Sequence, residues 1–348
     1  MHFPNDKVKG EMRRKYIWLF VLILLAACGQ QAKAQTSKSN GKYLPEAHVT
    51  EIVLAGSLAK KDAEISSLAW YGDTLILLPQ YPGFDGTNQL YSLSKTEIED
   101  YLATDNPVPL RPRAVPFIDS GRISLINGFQ GLEAIAFAGD RAYLTVEAEL
   151  NEGMRGSLVA GQMMPNLSEL VMDTAVITEI LPQARQENRT DETLFVYGDS
   201  LITLYEVNGT SVNESPVAHR FDFDLKPREP LPFPNIEYRV TDATAVDEKG
   251  RFWVINFFDP RDENLRTDSD AILARFGRGS THSNYNQVER LVEMQITDAG
   301  ISLTDTPPLY LELISDVARK WEGLVRFNDG FLLATDKYPD TILVYVEK

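Results

Sequence analysis

The stretch WEGLVRFNDGFLLATD, residues 321–336, carries the pattern that decides the fold. Apolar residues alternate on both sides of the turn Asn328-Asp329-Gly330, and the carboxylates Glu322 and Asp336 stand near the two ends. Alternating apolar runs around a glycine-containing turn are typical of a β-hairpin. The sequence therefore predicts a hairpin with one acid near the start of its first strand and another after its second strand.

The same hairpin plan recurs along the chain. Recurrence of one unit at intervals of tens of residues indicates a repeat architecture. With the opening stretch there are five copies, and other strand-like runs lie between them. Recurring hairpins with additional strands between them are typical of the blades of a β-propeller. The other four copies are SSLAWYGDTLILLPQ (66–80), EAIAFAGDRAYLTVE (133–147), ETLFVYGDSLITLYE (192–206) and DATAVDEKGRFWVIN (242–256).

We predict an all-β fold, a β-propeller of five or six blades, as a single domain over residues 44–348. The long interval between Asp242 and Glu322 is where a sixth, degenerate blade would lie. The run HVTEIVLA, residues 48–55, is expected to complete the blade that begins with WEGLVRF and so to close the ring. Helical periodicity is weak, and we predict only a short helix at Lys95–Leu102. A pair of β-sandwiches or another all-β architecture is the alternative, but neither predicts a recurring hairpin unit.

Composition limits the classes of function. The 348 residues include 50 acids against 34 lysines and arginines, a net charge of −16, so we expect no nucleic-acid partner. A single cysteine excludes a disulfide framework and a cysteine-based metal site, and four histidines leave little for a histidine-rich one. The sequence has no GxGxxG, P-loop, HExxH or GxSxG motif. These absences argue against the common nucleotide-binding, metalloprotease and serine-hydrolase mechanisms.

The N-terminal segment has the features of a secretion signal. A basic cluster precedes a short apolar run, and the run ends in LAAC, residues 25–28. This end resembles the lipobox of bacterial lipoproteins, which implies lipidation at Cys28 after removal of residues 1–27. Residues 28–43 are polar and aperiodic, as in a flexible tether. We expect a monomer in the bacterial cell envelope, facing away from the cytoplasm and held to a membrane by lipid; a plain signal peptide or an uncleaved anchor is the alternative.

Equivalent positions in a propeller converge on its central channel. The repeat therefore predicts two polar sets at one end of that channel, which together form an acidic mouth. Crowded carboxylates repel one another, so the mouth needs protonation, an arginine or a bound cation; oxygen ligands favour calcium. The alternative is that some of these acids face blade interfaces and accept hydrogen bonds from backbone amides. The first set is Ser66, Glu133, Glu192, Asp242 and Glu322, and the second, expected to face a ligand, is Gln80, Glu147, Glu206, Asn256 and Asp336.

The runs GLEAIAF…AYLTVE and WEGLVRF…FLLATD resemble the blade motifs of phytase-like, esterase-like propellers. They are also similar to gluconolactonase-type propellers, in which residues at strand starts hold a central divalent metal. The resemblance implies that Glu133, Asp242 and Glu322 bind calcium, with Glu192 as the weaker match.

The predicted acidic mouth is compatible with two functions. The first is non-catalytic: a tethered propeller whose mouth binds a small molecule, a glycan or a partner protein. The second is a metal-dependent hydrolase of an ester, a lactone or a phosphoester, in which Glu147, Glu206 or Asp336 acts as the base.

Overall fold

The structure is a computed structural model, and it describes residues 43–337 and 339–348. The predicted signal peptide (1–27), the lipidation site Cys28 and all but the last residue of the tether (28–43) lie outside the described residues. Within the described ranges no helix is both long enough and apolar enough to cross a membrane. The 3₁₀ helices are Ser57–Ala59, Lys61–Ala63, Pro165–Leu167, Glu263–Leu265 and Thr281–Ser283.

Blade 1 is an antiparallel sheet in which consecutive strands are neighbours. A helix that begins with a capping box lies between its third and fourth strands: Ser94 accepts the N–H of Glu97, and the Glu97 carboxylate accepts the N–H of Ser94. This helix, α1 (Lys95–Leu102), confirms the one predicted from the sequence. The strands up to this point are β1 (Tyr43–Leu44), β2 (Glu46–Ala47), β3 (Val49–Ile52), and then, in blade 1, β4 (Ile65–Tyr71), β5 (Thr74–Pro79), β6 (Gln89–Ser94) and β7 (Arg113–Ile118).

Blade 2 has the same antiparallel order and the longest strands of the molecule. Its outer strand pairs in parallel with the outer strand of blade 1, with Leu170 opposite Phe117. The two blades therefore share one continuous eight-stranded sheet. The strands of blade 2 are β8 (Phe129–Ala138), β9 (Arg141–Leu150), β10 (Gly153–Met163) and β11 (Leu170–Ile180).

Blade 3 is a four-stranded sheet, from which one short strand departs to pair with blade 4. That departing strand is β14, which follows the second strand of the blade directly. The strands are β12 (Asp191–Tyr197), β13 (Ser200–Tyr205), β14 (Val207–Asn208), β15 (Val217–Asp222) and β16 (Pro227–Pro232).

Blade 4 is the irregular one. Its innermost segment, residues 240–245, is not a continuous strand, yet the Ile255 N–H donates to the Asp242 carbonyl over 3.0 Å and the Thr244 N–H to Trp253 over 2.9 Å. These bonds hold it as the first strand of the predicted hairpin. The remaining elements are β17 (Ile236–Arg239), β18 (Arg251–Phe258), helix α2 (Ala271–Phe276), β19 (Arg278–Gly279), β20 (Val288–Thr297), β21 (Gly300–Leu303) and β22 (Leu309–Leu311).

Blade 5 joins the two ends of the described chain. Its own strands are β23 (Trp321–Phe327), β24 (Gly330–Thr335) and β25 (Leu343–Glu347). The fourth strand is β3, which pairs antiparallel with β25 so that Ile52 lies opposite Leu343. This pairing confirms that the HVTEIVLA run completes the blade begun by WEGLVRF. Nearby, β1 pairs with β19 and β2 with β22.

The innermost strands form a ring, which confirms the predicted β-propeller and sets the number of blades at five. Strand β4 packs beside β8 and β23, and β8 packs beside β12. Blade 4 fills the remaining position, because the Thr241 hydroxyl donates to the Trp321 carbonyl oxygen over 2.6 Å. The sixth blade predicted as an alternative is not found in the described chain. The long interval before Glu322 holds the outer strands of blade 4 and helix α2 instead.

An aromatic pair crosses each of the five blade interfaces. Ring pairs at these separations add stabilisation beyond the apolar area that they bury. Blade-to-blade packing therefore repeats as the sequence does. In order around the ring, the pairs are Tyr71–Phe137 (5.2 Å), Tyr143–Phe223 (5.8 Å), Phe195–Phe252 (4.8 Å), Trp253–Phe331 (5.4 Å) and Trp70–Phe327 (6.1 Å).

Candidate functional site

A β-bulge places the polar residue of the first set in four of the five blades. In blade 5, Trp321 lies opposite Thr335 and Gly323 lies opposite Ala334, so Glu322 is skipped. Such an extra residue bends the strand and redirects its side chain. The same skip in the pairing of the inner two strands occurs at Ser66, Glu133 and Glu192. In these four blades, the polar residue that opens the hairpin is thus turned out of the regular alternation by a repeated backbone feature.

A cavity of about 300 Å³ lies where these bulges meet, and we call it the mouth. Six carboxyl groups and four cationic side chains line it, together with Ser66, Gln80, Tyr81, Gln130 and Asn188. Acidic groups therefore outnumber cationic ones in the lining by about the same ratio as in the whole chain, which has 50 acids against 34 lysines and arginines. The ionisable lining residues are Glu64, Glu133, Glu147, Arg189, Glu192, Arg239, Lys320, Glu322, Asp336 and Lys337.

The structure brings most of the predicted residues to the mouth. From the first set, Ser66, Glu133, Glu192 and Glu322 line it, and from the second set Gln80, Glu147 and Asp336 do so. Glu206 lies directly behind the lining, fully buried. Asp242 and Asn256 do not line the cavity, and both make hydrogen bonds elsewhere.

Asp242 ties four blades together below the mouth. One carboxylate oxygen accepts the Ala243 N–H over 2.8 Å, and the other accepts the Leu324 N–H over 2.8 Å. The hydroxyl of Ser67 lies 3.4 Å from the second oxygen and itself accepts the N–H of Ile135. The blades joined in this way are 4, 5, 1 and 2. These contacts are those of the alternative prediction, in which the acid lies between blades and accepts hydrogen bonds from backbone amides.

Asn256 holds the backbone that carries a central arginine. Its side-chain amide donates to the carbonyl oxygens of Glu237 and Arg239 over 2.8 and 3.1 Å, and its carbonyl oxygen accepts Nε of Arg290 over 2.8 Å. Asn256 therefore positions strand β17 and does not reach the mouth.

Arg239 is the cation among the acids. Its Nη2 lies 3.3 Å from Oε1 of Glu322 and 3.7 Å from Oε1 of Glu192, and its Nε donates to Glu206. The guanidinium also stands over the Phe257 ring, 4.7 Å from the centroid. The backbone fixes it there, since Val240, the next residue, donates its N–H to the Glu206 carbonyl oxygen over 2.8 Å. Sequence reasoning predicted that an arginine could relieve the repulsion but did not identify this one.

Two further contacts shape the wall of the mouth in blades 1 and 2. The Gln80 amide donates to Oε1 of Glu133 over 3.1 Å, and Oε2 of Glu147 accepts the Thr190 hydroxyl over 2.9 Å. Gly131 makes room for Gln80, because a Cβ at its φ of +148° would lie 2.4 Å from Gln80 Cγ. Oε2 of Glu192, a lining residue, is buried and has no hydrogen-bond partner among the described residues.

Burial raises the pKa of the carboxyl groups in the mouth. The pKa of Glu322 rises to about 8, because burial outweighs the stabilising charge of Arg239. The pKa of Glu147 rises to about 7 through burial and the neighbouring Glu206. The pKa values of Glu133 and Glu192 are raised well above the ordinary range, again first by burial. Several of these groups therefore carry a proton at neutral pH.

These shifts predict that the protein loses stability as the pH rises from 5 to 8. The folded state binds more protons than the unfolded chain in this window, because the folded pKa of Glu322 is about 8 against 4.5 unfolded. The contribution of Glu322 to the free energy of unfolding is complete below pH 4.5. It is lost as the pH rises towards the folded pKa, by up to about 1.4 kcal/mol per pH unit for one such carboxyl group. Urea denaturation at several pH values measures it. Glu322→Gln should flatten the slope, and an equal slope in that variant would contradict the assignment.

The contacts of the buried acids bear on the prediction that they bind calcium. Among the residues that the structure describes, no group of three or more His, Cys, Asp or Glu is placed to hold a metal ion. Arg239 already supplies a positive charge between Glu192 and Glu322, and both oxygens of Asp242 accept N–H bonds. A calcium ion bound by all four predicted ligands would have to displace these contacts. Calcium binding stays a prediction.

Comparison with known proteins adds similarities of fold. No protein-family model matches the chain, and no curated protein matches it. Among solved structures, it is similar to β-1,2-mannobiose phosphorylase from Listeria innocua, with 13% identity over 86% of this chain and 94% of that one and a TM-score of 0.44. It is also similar to a glycosyl hydrolase from Bacteroides ovatus, with 11% identity over 88% of this chain and 96% of that one and a TM-score of 0.43.

A third similar structure is exo-β-1,3-galactanase from Phanerochaete chrysosporium, with 8% identity, a TM-score of 0.46, and coverage of 85% of this chain and 63% of that one. At such identities and scores, no activity or substrate carries over from these proteins to this chain.

Proposed function

We propose that the mouth binds a small, uncharged and hydroxyl-rich molecule, such as a sugar unit of a glycan. The proposal is supported by the size and the polar lining of the mouth. It is a polar cavity of about 300 Å³ whose buried carboxyl groups and arginine contact one another, with Oε2 of Glu192 left unpaired. A buried polar atom without a partner is costly, and a rotation of the Glu192 carboxyl group towards the cavity would let a ligand hydroxyl supply the missing hydrogen bond.

Charge and chemistry favour an uncharged ligand. Lys337 pairs with Glu64 over 3.0 Å, and Arg189 lies 3.4 Å from Glu206, so these cations are already neutralised by neighbouring acids. An anionic phosphoester would have to compete with those acids. Hydroxyl groups both donate and accept, and they match a lining in which carboxyl groups occur in protonated and ionised forms. The volume is at the lower end of the range for small-molecule sites.

The test is a calorimetric titration with a panel of methyl pyranosides of glucose, galactose, mannose and xylose. At least one should bind saturably. Glu192→Leu keeps the bulk of the side chain but removes its polar atoms, and it should weaken binding about tenfold or more, the value of a hydrogen bond to a buried polar group. The matched control is Glu248→Leu, at an exposed glutamate in a turn of blade 4. Absence of binding across the panel, or equal binding by Glu192→Leu, would refute the proposal.

A hydrolase of an ester or lactone is the second candidate. It is favoured by the carboxyl groups of Glu147 and Glu322, which face the same cavity with pKa values of about 7 and 8. Such a group gives a proton to a leaving oxygen at neutral pH, while an ionised neighbour takes one from water. Hydrolysis of δ-gluconolactone above the buffer rate, with a loss of about 100-fold or more in Glu147→Gln, is the expected result for this candidate.

Calcium is the cofactor that the family resemblance implies, and we keep it as a proposal. It would supply a Lewis acid at the mouth; neither candidate function above depends on it. A ligand of the folded state stabilises by about 2.7 kcal/mol at a hundredfold excess over its dissociation constant. Calcium should therefore raise the melting temperature and EDTA should lower it. No response to calcium, magnesium or manganese would leave Arg239 as the resident cation.

We also propose that the propeller works in the cell envelope, anchored through lipid on Cys28. The support is the LAAC sequence after a basic and apolar segment. Cys28→Ala should abolish lipidation and release the protein from membranes or stall its processing. Mass spectrometry and membrane fractionation measure this, and a variant that differs in mass only by the substitution itself, with unchanged partition, would refute it.

A further inference from the structure

A second cavity, which we call the side cavity, lies beside the mouth. Its volume is about 500 Å³, and it lies between the loop after β5 and the loop that joins β7 to β8. Unlike the mouth, it has mainly apolar walls. The apolar lining residues are Tyr81, Pro82, Phe117, Ile123, Phe129 and Leu132, and the polar ones are Thr87, Asn88, Asp119 and Ser124.

The two cavities share a wall. Tyr81 lines both of them. Gln80 and Gln130 line the mouth, whereas Pro82, two residues after Gln80, and Phe129, directly before Gln130, line the side cavity. The Tyr81 hydroxyl donates to the Gln130 carbonyl oxygen, and its ring meets that of Phe129 edge-on at 6.1 Å. These contacts form part of the wall between the cavities, so a ligand that occupies both would have to pass over Tyr81.

The side cavity is preformed. Phe117, Ile123 and Leu132 belong to the packed core between blades 1 and 2, and each is at most 3% exposed. The loop above them is fixed by Asp119, whose carboxylate accepts the N–H groups of Gly121 over 2.9 Å and Ile123 over 3.1 Å. A pocket with a rigid apolar floor binds apolar groups without an ordering cost.

We propose that the side cavity binds an aromatic or other apolar substituent of the same ligand that the mouth holds by its polar part. The ligand would thus have two parts, a hydroxyl-rich unit joined to an apolar one, as in an aryl glycoside. This inference rests on the proposed binding function of the mouth. It adds a specificity site formed by blades 1 and 2, with Tyr81 at the junction of the two subsites.

The test compares methyl and phenyl β-pyranosides of glucose, galactose, mannose and xylose by calorimetric titration. For the sugar that binds, the phenyl glycoside should bind about tenfold tighter or better than the methyl glycoside, as expected for burying most of a phenyl ring. Ser124→Trp places an indole at the exposed rim of the side cavity and should reduce this preference to about threefold or less, with the methyl glycoside unaffected. Ser124→Ala is the matched control and should keep the full preference.

The outcomes separate the two proposals. Equal affinity for methyl and phenyl glycosides in the wild type overturns this inference and leaves the mouth as a sugar site. A phenyl preference that survives in Ser124→Trp also overturns it, because the ring then binds elsewhere. If no glycoside of either kind binds, the proposed function and the inference both fail.

Discussion

Arg239→Met will lower the free energy of unfolding by about 3–5 kcal/mol at pH 8, the cost of removing one partner from a buried ion pair. The guanidinium is the charge that faces Glu192, Glu206 and Glu322, which are all buried. Without it, carboxylates that ionise at this pH repel one another more strongly, although Arg189 still faces Glu206. Urea denaturation monitored by tryptophan fluorescence measures the change.

The pH dependence distinguishes this effect from a simple loss of packing. At pH 5 the same substitution should cost less, because protonated carboxyl groups need no counter-charge. Arg275→Met is the matched control: Arg275 pairs with the exposed Asp305, and such surface pairs contribute at most about 1 kcal/mol. A loss that is equal at pH 5 and pH 8 would show that Arg239 acts through packing and not through its charge.

Asp242→Ala will also destabilise the protein by about 3–5 kcal/mol, since each buried N–H left without an acceptor costs roughly 1–3 kcal/mol. The N–H groups of Ala243 and Leu324 would lose their acceptor, and the contact with Ser67 would be lost as well. Because the bonds to Leu324 and Ser67 join blade 4 to blades 5 and 1, the substitution should lower the midpoint of one cooperative transition. Chemical denaturation followed by circular dichroism and fluorescence together measures it.

A second aspartate supplies the control for this prediction. Asp247 likewise accepts two N–H bonds, from Lys249 and Arg251, but it does so in a partly exposed turn where water replaces the lost acceptor. Asp247→Ala should change the free energy of unfolding by no more than about 1 kcal/mol. Similar losses in the two variants would mean that Asp242 is not a special junction between blades.

The fold could be predicted from sequence because the hairpin plan is local and repeats. Apolar alternation and turns such as Asn328-Asp329-Gly330 specify each inner strand pair, and the HVTEIVLA run was predicted to complete the blade that begins with WEGLVRF. The number of blades was left open between five and six, because α2 and the outer strands of blade 4 fill an interval as long as a further blade.

The site was predictable only in part. The repeat predicted Glu133, Glu192 and Glu322 at one end of the channel, because their position in each blade is equivalent, and the structure has them in the lining of the mouth. It treated Asp242 in the same way, but blade 4 has no continuous inner strand, and that carboxylate accepts amides of its neighbours. Arg239 lies outside the repeated unit, so the spacing gave no signal for it. The one hint was a basic residue three positions before an acidic strand start.

The pairing of β3 with β25 has a consequence for how the protein is made. Almost the whole described chain lies between these two strands, so their contact has the largest sequence separation in the fold. Contacts of this kind form slowly, because a long loop must close before any pairing energy is gained. During synthesis, β3 emerges early and then waits, as an unpaired strand, until the last residues of blade 5 follow. The interval before ring closure is therefore when the chain is most exposed to misassociation through that free edge.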